Sequence, residues 1–233
     1  VIPSMGTGLP FRSAADAIAL VGLLAIARVF MSLAAMDIGT AFGTLGARRD
    51  MMIGFLAEPA LLMVIFVASL ISATTALPLI AERLVVQPLA LYPSLAFTAV
   101  AFTMVLLAEN ARIPVDNPAT HLELTMIHEA MLLEYSARHL ALMEWAAALK
   151  LFNYACIGFA LFVPWGTSIG ETGIGALALS IPALLAKLVV AGLWLALLET
   201  VSAKLRVFRA PEFMATAFMF AVLGLLVHLL LGA

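Results

Sequence analysis

The sequence has 233 residues, of which 64% are hydrophobic and only 11% are charged, and its mean hydropathy is +1.13. Soluble domains carry roughly 25% charged residues, so this composition excludes a soluble globular protein and indicates an integral membrane protein. The net charge of −2 says little, but the few basic residues lie beside apolar stretches, which argues against nucleic-acid binding. The single cysteine, Cys156, argues against a disulfide framework and a thiolate metal site.

Six apolar stretches approach the roughly 20 residues that a helix needs to cross the core of a bilayer. We therefore predict an all-α fold, a polytopic membrane helical bundle with about six transmembrane helices, over about 14–36, 51–73, 92–109, 139–164, 175–200 and 213–231. A seventh helix over about 119–136 is too polar to span, and we place it at the cytoplasmic surface or folded into the protein. Gly39, Gly43 and Gly46 follow the first span and indicate a turn or close packing. The chain is interpreted as a single membrane domain, 1–233.

Lysine and arginine are distributed unevenly between the connections. The N-terminal segment and the even-numbered connections hold only Arg12 and Arg83. The odd-numbered connections hold seven basic residues: Arg48, Arg49, Arg112, Arg138, Lys204, Arg206 and Arg209. The positive-inside rule therefore places the first, third and fifth connections in the cytoplasm and both ends of this chain outside.

Of the stretches between two spans, the third connection has the most strongly restricted backbone conformation. Pro114 and Pro118 fix their own φ angles and push the preceding residues away from helix. Asn117 can cap a new helix whose first residue is Pro118. Thr120 and Glu123 have the spacing of a capping box one turn later, so the sequence leaves the start of this helix open between the two places.

Ionisable residues interrupt the predicted spans. They are Arg28, Glu58, Glu144, Lys150 and Lys187, with Glu199 close to a span end. Each such residue costs roughly 2.5–3.5 kcal/mol at the centre of a membrane helix, so we expect these side chains to face protein or water.

The depth of each ionisable residue below the cytoplasmic end of its helix follows from the rise of about 1.5 Å per helical residue. Glu109 is then at the surface, Glu144 roughly 8 Å in, Arg28 and Glu58 roughly 11–12 Å in, and Lys150 and Lys187 roughly 17–20 Å in. Such a series predicts a path for protons, and Glu144→Gln and Lys187→Met are expected to abolish coupled proton movement while the protein still assembles. The alternative is that Arg28 and Glu58 form a static pair that fixes helix packing.

A metal site is not predicted. His128 and Glu129 begin a zinc-protease HExxH pattern, but position 132 is Leu132 instead of histidine. His121 and His128 are two helical turns apart, about 10 Å, which is too far for one ion.

The third connection carries a family resemblance. Glu109, Arg112, Pro114, Asp116 and Pro118, followed by Glu123-Leu124 and Glu134-Tyr135-Ser136, resemble the signature loop of the respiratory complex I subunit 1 family. The run from Pro114 to Thr125 with His128-Glu129-Ala130 is similar to the hydrogenase branch, the membrane-anchor subunits of formate hydrogenlyase and hydrogenase-4 type complexes. Further similarity lies in Leu45-Gly46-Ala47 with Arg49, in Glu58, Glu144 and Lys187, and in the segment from Glu199 to Phe213.

The resemblance implies a non-catalytic membrane subunit of a membrane-bound [NiFe]-hydrogenase complex in a bacterial inner or archaeal cell membrane. It would anchor the peripheral redox arm and couple electron transfer to proton translocation. The implied partners are hydrogenase large and small subunits, an iron–sulfur subunit and antiporter-like membrane subunits, which hold the Fe–S and Ni–Fe centres. By position, the arm-facing residues are Arg49, Glu109, Arg112, Asp116, Glu123 and Glu134, and the buried charge path includes Glu58, Glu144 and Lys187.

Two departures from complex I members favour the hydrogenase branch. The family's two N-terminal helices, which help wall the quinone chamber, are lacking here, which argues against quinone binding without excluding it. The sequence has no ligand set for iron–sulfur or nickel, so we expect no cofactor bound by this chain. Val115 stands where complex I members have phenylalanine, and residues 125–130 lengthen the segment before Glu134. The alternative is the quinone-site subunit of a complex I-like NADH:quinone dehydrogenase. A stand-alone secondary transporter is a third hypothesis, but the sequence shows no inverted repeat.

Overall fold

The computed structural model describes residues 2–3, 6–8, 14–86, 92–116, 126–168, 174–205 and 209–231. In these ranges the chain forms helices without a β-sheet, which confirms the predicted all-α bundle. The helices are α1 Ala17–Asp37, α2 Ala41–Ser72, α3 Leu77–Val86, α4 Pro93–Glu109, α5 His128–Leu132, α6 Ala137–Phe162, α7 Ile174–Val201 and α8 Ala210–Leu231.

Within the described ranges, five helices are long and apolar enough to cross a membrane, namely α1, α2, α6, α8 and the part of α7 from Ala178 to Val201. The apolar α4, with 17 residues, corresponds to the third predicted span and is shorter than the others. The chain is a multi-pass membrane protein.

The core of the bundle forms around α2, which packs against α1, α4, α5 and α8. Small residues such as Ala57, Ala60, Ala101 and Ala217 line these interfaces and are fully buried. Small side chains let membrane helices approach closely, so van der Waals packing replaces the hydrophobic drive that lipid does not supply. By contrast, α7 is mostly exposed along its length.

The connections sort to the two ends of the bundle as predicted. The N–H of Leu205, in the fifth connection, donates to Pro114 O in the third connection at 2.9 Å. The N–H of Ala17 donates to Thr75 O at 2.9 Å, which joins the start of α1 to the second connection at the opposite end. We call the end with the odd-numbered connections the inner end; its placement in the cytoplasm follows from the positive-inside rule.

The first connection is shorter than predicted. Arg48 and Arg49 were expected in a loop before a span starting at 51, but α2 already begins at Ala41, where Thr40 caps it by accepting the N–H of Gly43. The turn is confined to the residues around Gly39, whose φ is +75°. With 32 residues, α2 is about 48 Å long, so part of it extends beyond a bilayer core of roughly 30 Å.

The helix predicted over 119–136 is wrong in its described part. Met126 and Ile127 are not helical, α5 has only five residues, and Glu134 follows it in a turn. Ile127 and Met131 are buried, which shows why: their apolar side chains hold the segment inside the protein. The proposed caps at Asn117, Thr120 and Glu123 lie outside the described residues. A short helix that the sequence did not predict, α3, lies at the outer end with Leu77, Ile80 and Leu84 buried.

Candidate functional site

Arg28 is the centre of a buried ion cluster formed by three helices. Its side chain on α1 is only 7% exposed, and its Nη1 lies 3.2 Å from Oε1 of Glu58 on α2. Its Nη2 pairs with Oε1 of Glu109 at the end of α4, and its Nε lies 3.8 Å from Oδ2 of Asp50. A guanidinium presents its five N–H groups as a rigid fork, so one arginine can bridge three carboxylates.

Lys150 of α6 completes this cluster. Its Nζ donates to the backbone oxygen of Glu109 at 2.6 Å and lies 3.0 Å from Oε2 of the same residue. The Glu109 carboxylate, 2% exposed, is therefore held between two cations. We call Arg28, Asp50, Glu58, Glu109 and Lys150 the Arg28 cluster.

Two predicted depths are wrong. Glu109 was placed at the surface with the arm-facing residues and Lys150 roughly 17–20 Å deeper, yet the two side chains are in contact. The helix ends are not level: α4 stops at Glu109, whereas about 13 Å of α1 continues past Arg28 and about 20 Å of α6 precedes Lys150. Glu109 thus belongs to the Arg28 cluster at the bottom of a recess in the inner end.

A second group of charges adjoins the cluster through Asp50. His128, the first residue of α5, has its Nε2 3.1 Å from Oδ1 of Asp50 and its Nδ1 3.6 Å from Oδ2 of Asp116. The backbone N–H of His128 also donates to Asp116 at 3.0 Å, and Ser32 Oγ lies 3.4 Å from Asp50 Oδ2. Both aspartates are buried.

Sequence reasoning missed Asp50 and His128. Asp50 had been assigned to a loop, and His128 had been considered as half of a zinc motif and as part of the family resemblance but not as a site residue. A usable signal existed, because Asp50, Gly54 and Glu58 recur at every fourth position and therefore share one face of α2.

The environment of His128 favours its charged form. Burial opposes protonation of the imidazole, but the carboxylates of Asp50 and Asp116 outweigh burial, so the pKa of His128 is raised. A raised pKa in the folded state means that the imidazolium stabilises the fold. This stabilisation is complete below the ordinary pKa and is lost as the pH rises through the raised value. Burial lowers the pKa of Lys204, and the nearby Asp116 opposes that shift.

The other predicted residues lie around this site or away from it. Arg112 of the loop pairs with Glu199 near the end of α7 at 3.5 Å, and Arg49 Nη1 donates to Met126 O at 2.8 Å. Glu134 is exposed at the inner end, and Glu123 lies outside the described residues. Glu144 is exposed along α6, on the side that lines the cavity beside the cluster.

Lys187 lies far from the cluster. Its Nζ donates to Val163 O at 2.7 Å, at the outer end of α6, and is 5.8 Å from the Phe159 ring. About 20 Å of helix separates Val163 from Lys150, so the two lysines are not at a common depth as predicted.

An open cavity of about 860 Å³ lies above the Arg28 cluster. Arg28, Asp50, Glu109, Lys150 and His128 form its charged floor. Its walls are apolar and come from α1, α4, α6 and α7, with residues such as Leu24, Met31, Leu106, Leu188 and Leu195. The charged groups on the floor thus lie at the base of an open cavity. The apolar walls of this cavity limit their hydration.

Gly54 leaves the space that the Arg28 guanidinium occupies, since a Cβ built at Gly54 would overlap the Arg28 side chain. We expect Gly54→Ala to lower the free energy of unfolding by about 1–3 kcal/mol, the usual range for overpacking. Gly22→Ala is the matched control on α1, because a Cβ there meets nothing within 4 Å. Thermal unfolding in detergent should show a loss for Gly54→Ala and none for Gly22→Ala; equal midpoints would show that the guanidinium does not need this space.

Comparisons with known proteins find one family and two similar proteins, and the family match covers nearly the whole chain. Residues 1–230 match the family described as NADH dehydrogenase. Formate hydrogenlyase subunit 4 of Escherichia coli (strain K12) is 32% identical over 223 residues, which cover 96% of this chain and 71% of that protein. Hydrogenase-4 component C of the same organism is 32% identical over 165 residues, 71% of this chain. The chain spans about half the length of this second relative, 51%.

Proposed function

Because the chain belongs to the NADH dehydrogenase family, the family of complex I subunit 1, we propose that it is a membrane subunit of a membrane-bound [NiFe]-hydrogenase complex of the formate hydrogenlyase or hydrogenase-4 kind. The observation that carries this proposal is the similarity to formate hydrogenlyase subunit 4 over 96% of the chain. In this function the chain anchors the redox arm and couples electron transfer to proton translocation, and the redox centres belong to partner subunits. With one cysteine in the sequence, the chain does not offer the set of thiolates that usually holds an iron–sulfur cluster.

The charge balance of the site supports a role in proton movement. Three carboxylates, those of Asp50, Glu58 and Glu109, face the two cations Arg28 and Lys150. The carboxylate of Asp116 faces His128 and lies near Lys204. A proton gained or lost by one member of this group changes the pairing of its neighbours, because desolvation penalises unbalanced charge. A redox partner that changes charge at the inner end would shift that proton by electrostatics.

The exposed inner end supports docking of a peripheral arm. Arg112 is fixed to α7 through Glu199, and Asp116 is fixed to α5 through His128, so the described part of the loop between α4 and α5, residues 110–116, is preorganised. Exposed Glu134 lies beside it on the same end. Preorganised surfaces lose little conformational entropy when a partner binds.

A second function, the quinone-site subunit of a complex I-like dehydrogenase, has one observation in its favour. The cavity of about 860 Å³ has apolar walls and a few polar groups, within the usual range of roughly 300–1,000 Å³ for ligand pockets. Sensitivity of electron transfer to quinone-site inhibitors would favour this alternative.

Purification of the tagged chain from its native membrane in mild detergent tests the two functions. We expect copurification of a subunit with two CxxC pairs, the ligand pattern for nickel, and hydrogen evolution from a reduced dye. Copurification of an NADH-oxidising flavin subunit, with quinone reduction and no hydrogen evolution, would replace the proposal by the alternative. Ion transport by the isolated chain in liposomes would favour a transporter.

A charge reversal tests the docking surface. Glu134→Lys at the inner end is expected to reduce copurification of the redox arm by about tenfold, the effect of roughly 1.4 kcal/mol in binding. The matched control is Glu82→Lys on α3 at the outer end, which we expect to copurify the arm as the unmodified chain does. Equal retention in both variants would place the docking surface elsewhere.

A further inference from the structure

His128 connects the inner-end loop to the Arg28 cluster. Its two ring nitrogens face two different buried carboxylates, Nε2 toward Asp50 at 3.1 Å and Nδ1 toward Asp116 at 3.6 Å. Asp116 belongs to the loop after α4, whereas Asp50 contacts Arg28 and so belongs to the cluster. The imidazole also lines the cavity. A neutral imidazole accepts a proton on one nitrogen and donates from the other, which makes it suited to pass protons between the two acids.

The charged groups around His128 come from every element that packs near it. They are Asp50 and Arg49 of α2, Arg28 of α1 through Asp50, Asp116 of the loop, Glu129 beside it on α5, Lys150 of α6, and Lys204 near Asp116. Lys150 is the cation that opposes protonation of His128, and Asp50 and Asp116 favour it.

We propose that Asp116, His128 and Asp50 form a proton relay from the inner-end loop to the Arg28 cluster. The inference rests on the proposed function, since it assigns the first step of the coupled proton movement to named atoms. A protonated Asp116 gives its proton to Nδ1, which forms imidazolium. The imidazolium then releases the proton on Nε2 to Oδ1 of Asp50. One proton has left Asp116 and one has reached Asp50, and the neutral imidazole returns to its first tautomer when the ring turns over.

The two distances show that the two steps of the relay have different requirements. At 3.1 Å the Nε2 side is in hydrogen-bond range, whereas the 3.6 Å gap to Asp116 is longer than a hydrogen bond. The ring in this position can exchange a proton with Asp50. Loading from Asp116 requires a shift of a few tenths of an ångström, or a tightening when the partner binds the loop.

A purely structural role for His128 would be a bridge between α5 and α2. His128→Gln separates the two roles, because glutamine keeps a hydrogen bond to Asp50 but does not carry a proton near neutral pH. His139→Gln is the matched control, since His139 is an exposed histidine on α6. Both variants are made in the complete complex, reconstituted in liposomes and driven by hydrogen evolution from a reduced dye.

We expect His128→Gln to keep its partners and its hydrogen evolution and to lose proton movement by about tenfold or more, the usual effect of removing a proton-transfer group. His139→Gln should match the unmodified complex. Equal proton movement in all three would overturn the relay and leave the proposed function intact. Absence of proton movement in the unmodified complex would instead overturn the coupling function and the relay with it.

A spectroscopic titration keeps the relay testable if His128→Gln does not assemble. In the purified chain in detergent, ¹⁵N-labelled histidine gives signals from four imidazole rings, and the raised pKa should identify that of His128. Asp50→Asn and Asp116→Asn should each lower this pKa, and the unfolding midpoint should fall as the pH rises through it. A His128 signal that neither substitution moves would overturn the relay.

Discussion

Replacement of Arg28 by glutamine is expected to destabilise the protein by about 3–5 kcal/mol, the range for breaking a buried ion pair by removing one partner. The loss is large because one guanidinium serves Asp50, Glu58 and Glu109, and the Asp50 and Glu109 carboxylates are almost fully buried. Glutamine has the length to hydrogen bond to one of them but supplies no charge. Unfolding of the purified chain in mixed micelles measures the change.

A double-mutant cycle separates this electrostatic effect from lost packing. Glu109→Gln together with Arg28→Gln removes both members of the closest pair, so the double variant should be more stable than the sum of the single losses by about 0.5–3 kcal/mol. Arg83→Gln is the matched control for arginine, since Arg83 is exposed on α3 at the outer end. Strict additivity, within about 0.5 kcal/mol, would mean that Arg28 and Glu109 do not act on each other.

Replacement of Lys150 by methionine is expected to stop coupled proton movement while electron transfer continues. Lys150 is the cation that joins α6 to the Arg28 cluster, and its loss leaves the Glu109 carboxylate with Arg28 alone. Methionine has no ionisable group, so the path loses the group through which α6 contacts Glu109. We therefore expect the ratio of protons moved to hydrogen evolved to fall about tenfold or more.

Lys187→Met is the matched control for this substitution. Both changes replace a lysine on a membrane helix, but Lys187 contacts Val163 O at the outer end instead of the cluster. The sequence predicted that Glu144→Gln and Lys187→Met each abolish coupled proton movement. The prediction for Glu144 stays, whereas the contact of Lys187 with Val163 O, away from the cluster, leads us to expect a much smaller effect there than at Lys150. A reconstituted complex whose proton-to-hydrogen ratio is unchanged by Lys150→Met, or changed equally by both substitutions, would contradict a special role for the Arg28 cluster.

Much of the fold could be predicted from the sequence, because long apolar stretches have few alternatives to membrane helices. The predicted spans correspond to α1, α2, α4, α6, α7 and α8. The boundaries were less predictable, since the residues before 51 are polar enough to suggest a loop and yet continue α2 beyond the bilayer. Short helices such as α3 and α5 are stabilised by tertiary packing, which a local pattern does not reveal.

Several members of the site could be predicted from the sequence, but Asp50, His128 and the arrangement of the site could not. Arg28 and Glu58 were expected to interact, and they do, at 3.2 Å. The position of Glu109 was missed because depth was counted from helix ends that were taken as level. Asp50 was missed for a different reason, since the start of α2 was placed too late and a residue in a supposed loop is not expected to be buried. Such arrangements depend on the relative offset of helices along their axes, and periodicity within one helix carries no information about that offset.

The most direct test of the account is a cryo-EM map of the complex purified from its native membrane. We predict the Arg28 guanidinium in contact with the carboxylates of Asp50, Glu58 and Glu109, Lys150 within hydrogen-bond distance of Glu109, and a polar surface of a redox subunit over the loop at Arg112 to Asp116. A map in which these side chains point outward to lipid or stand far from one another, with nothing polar over that loop, would contradict it.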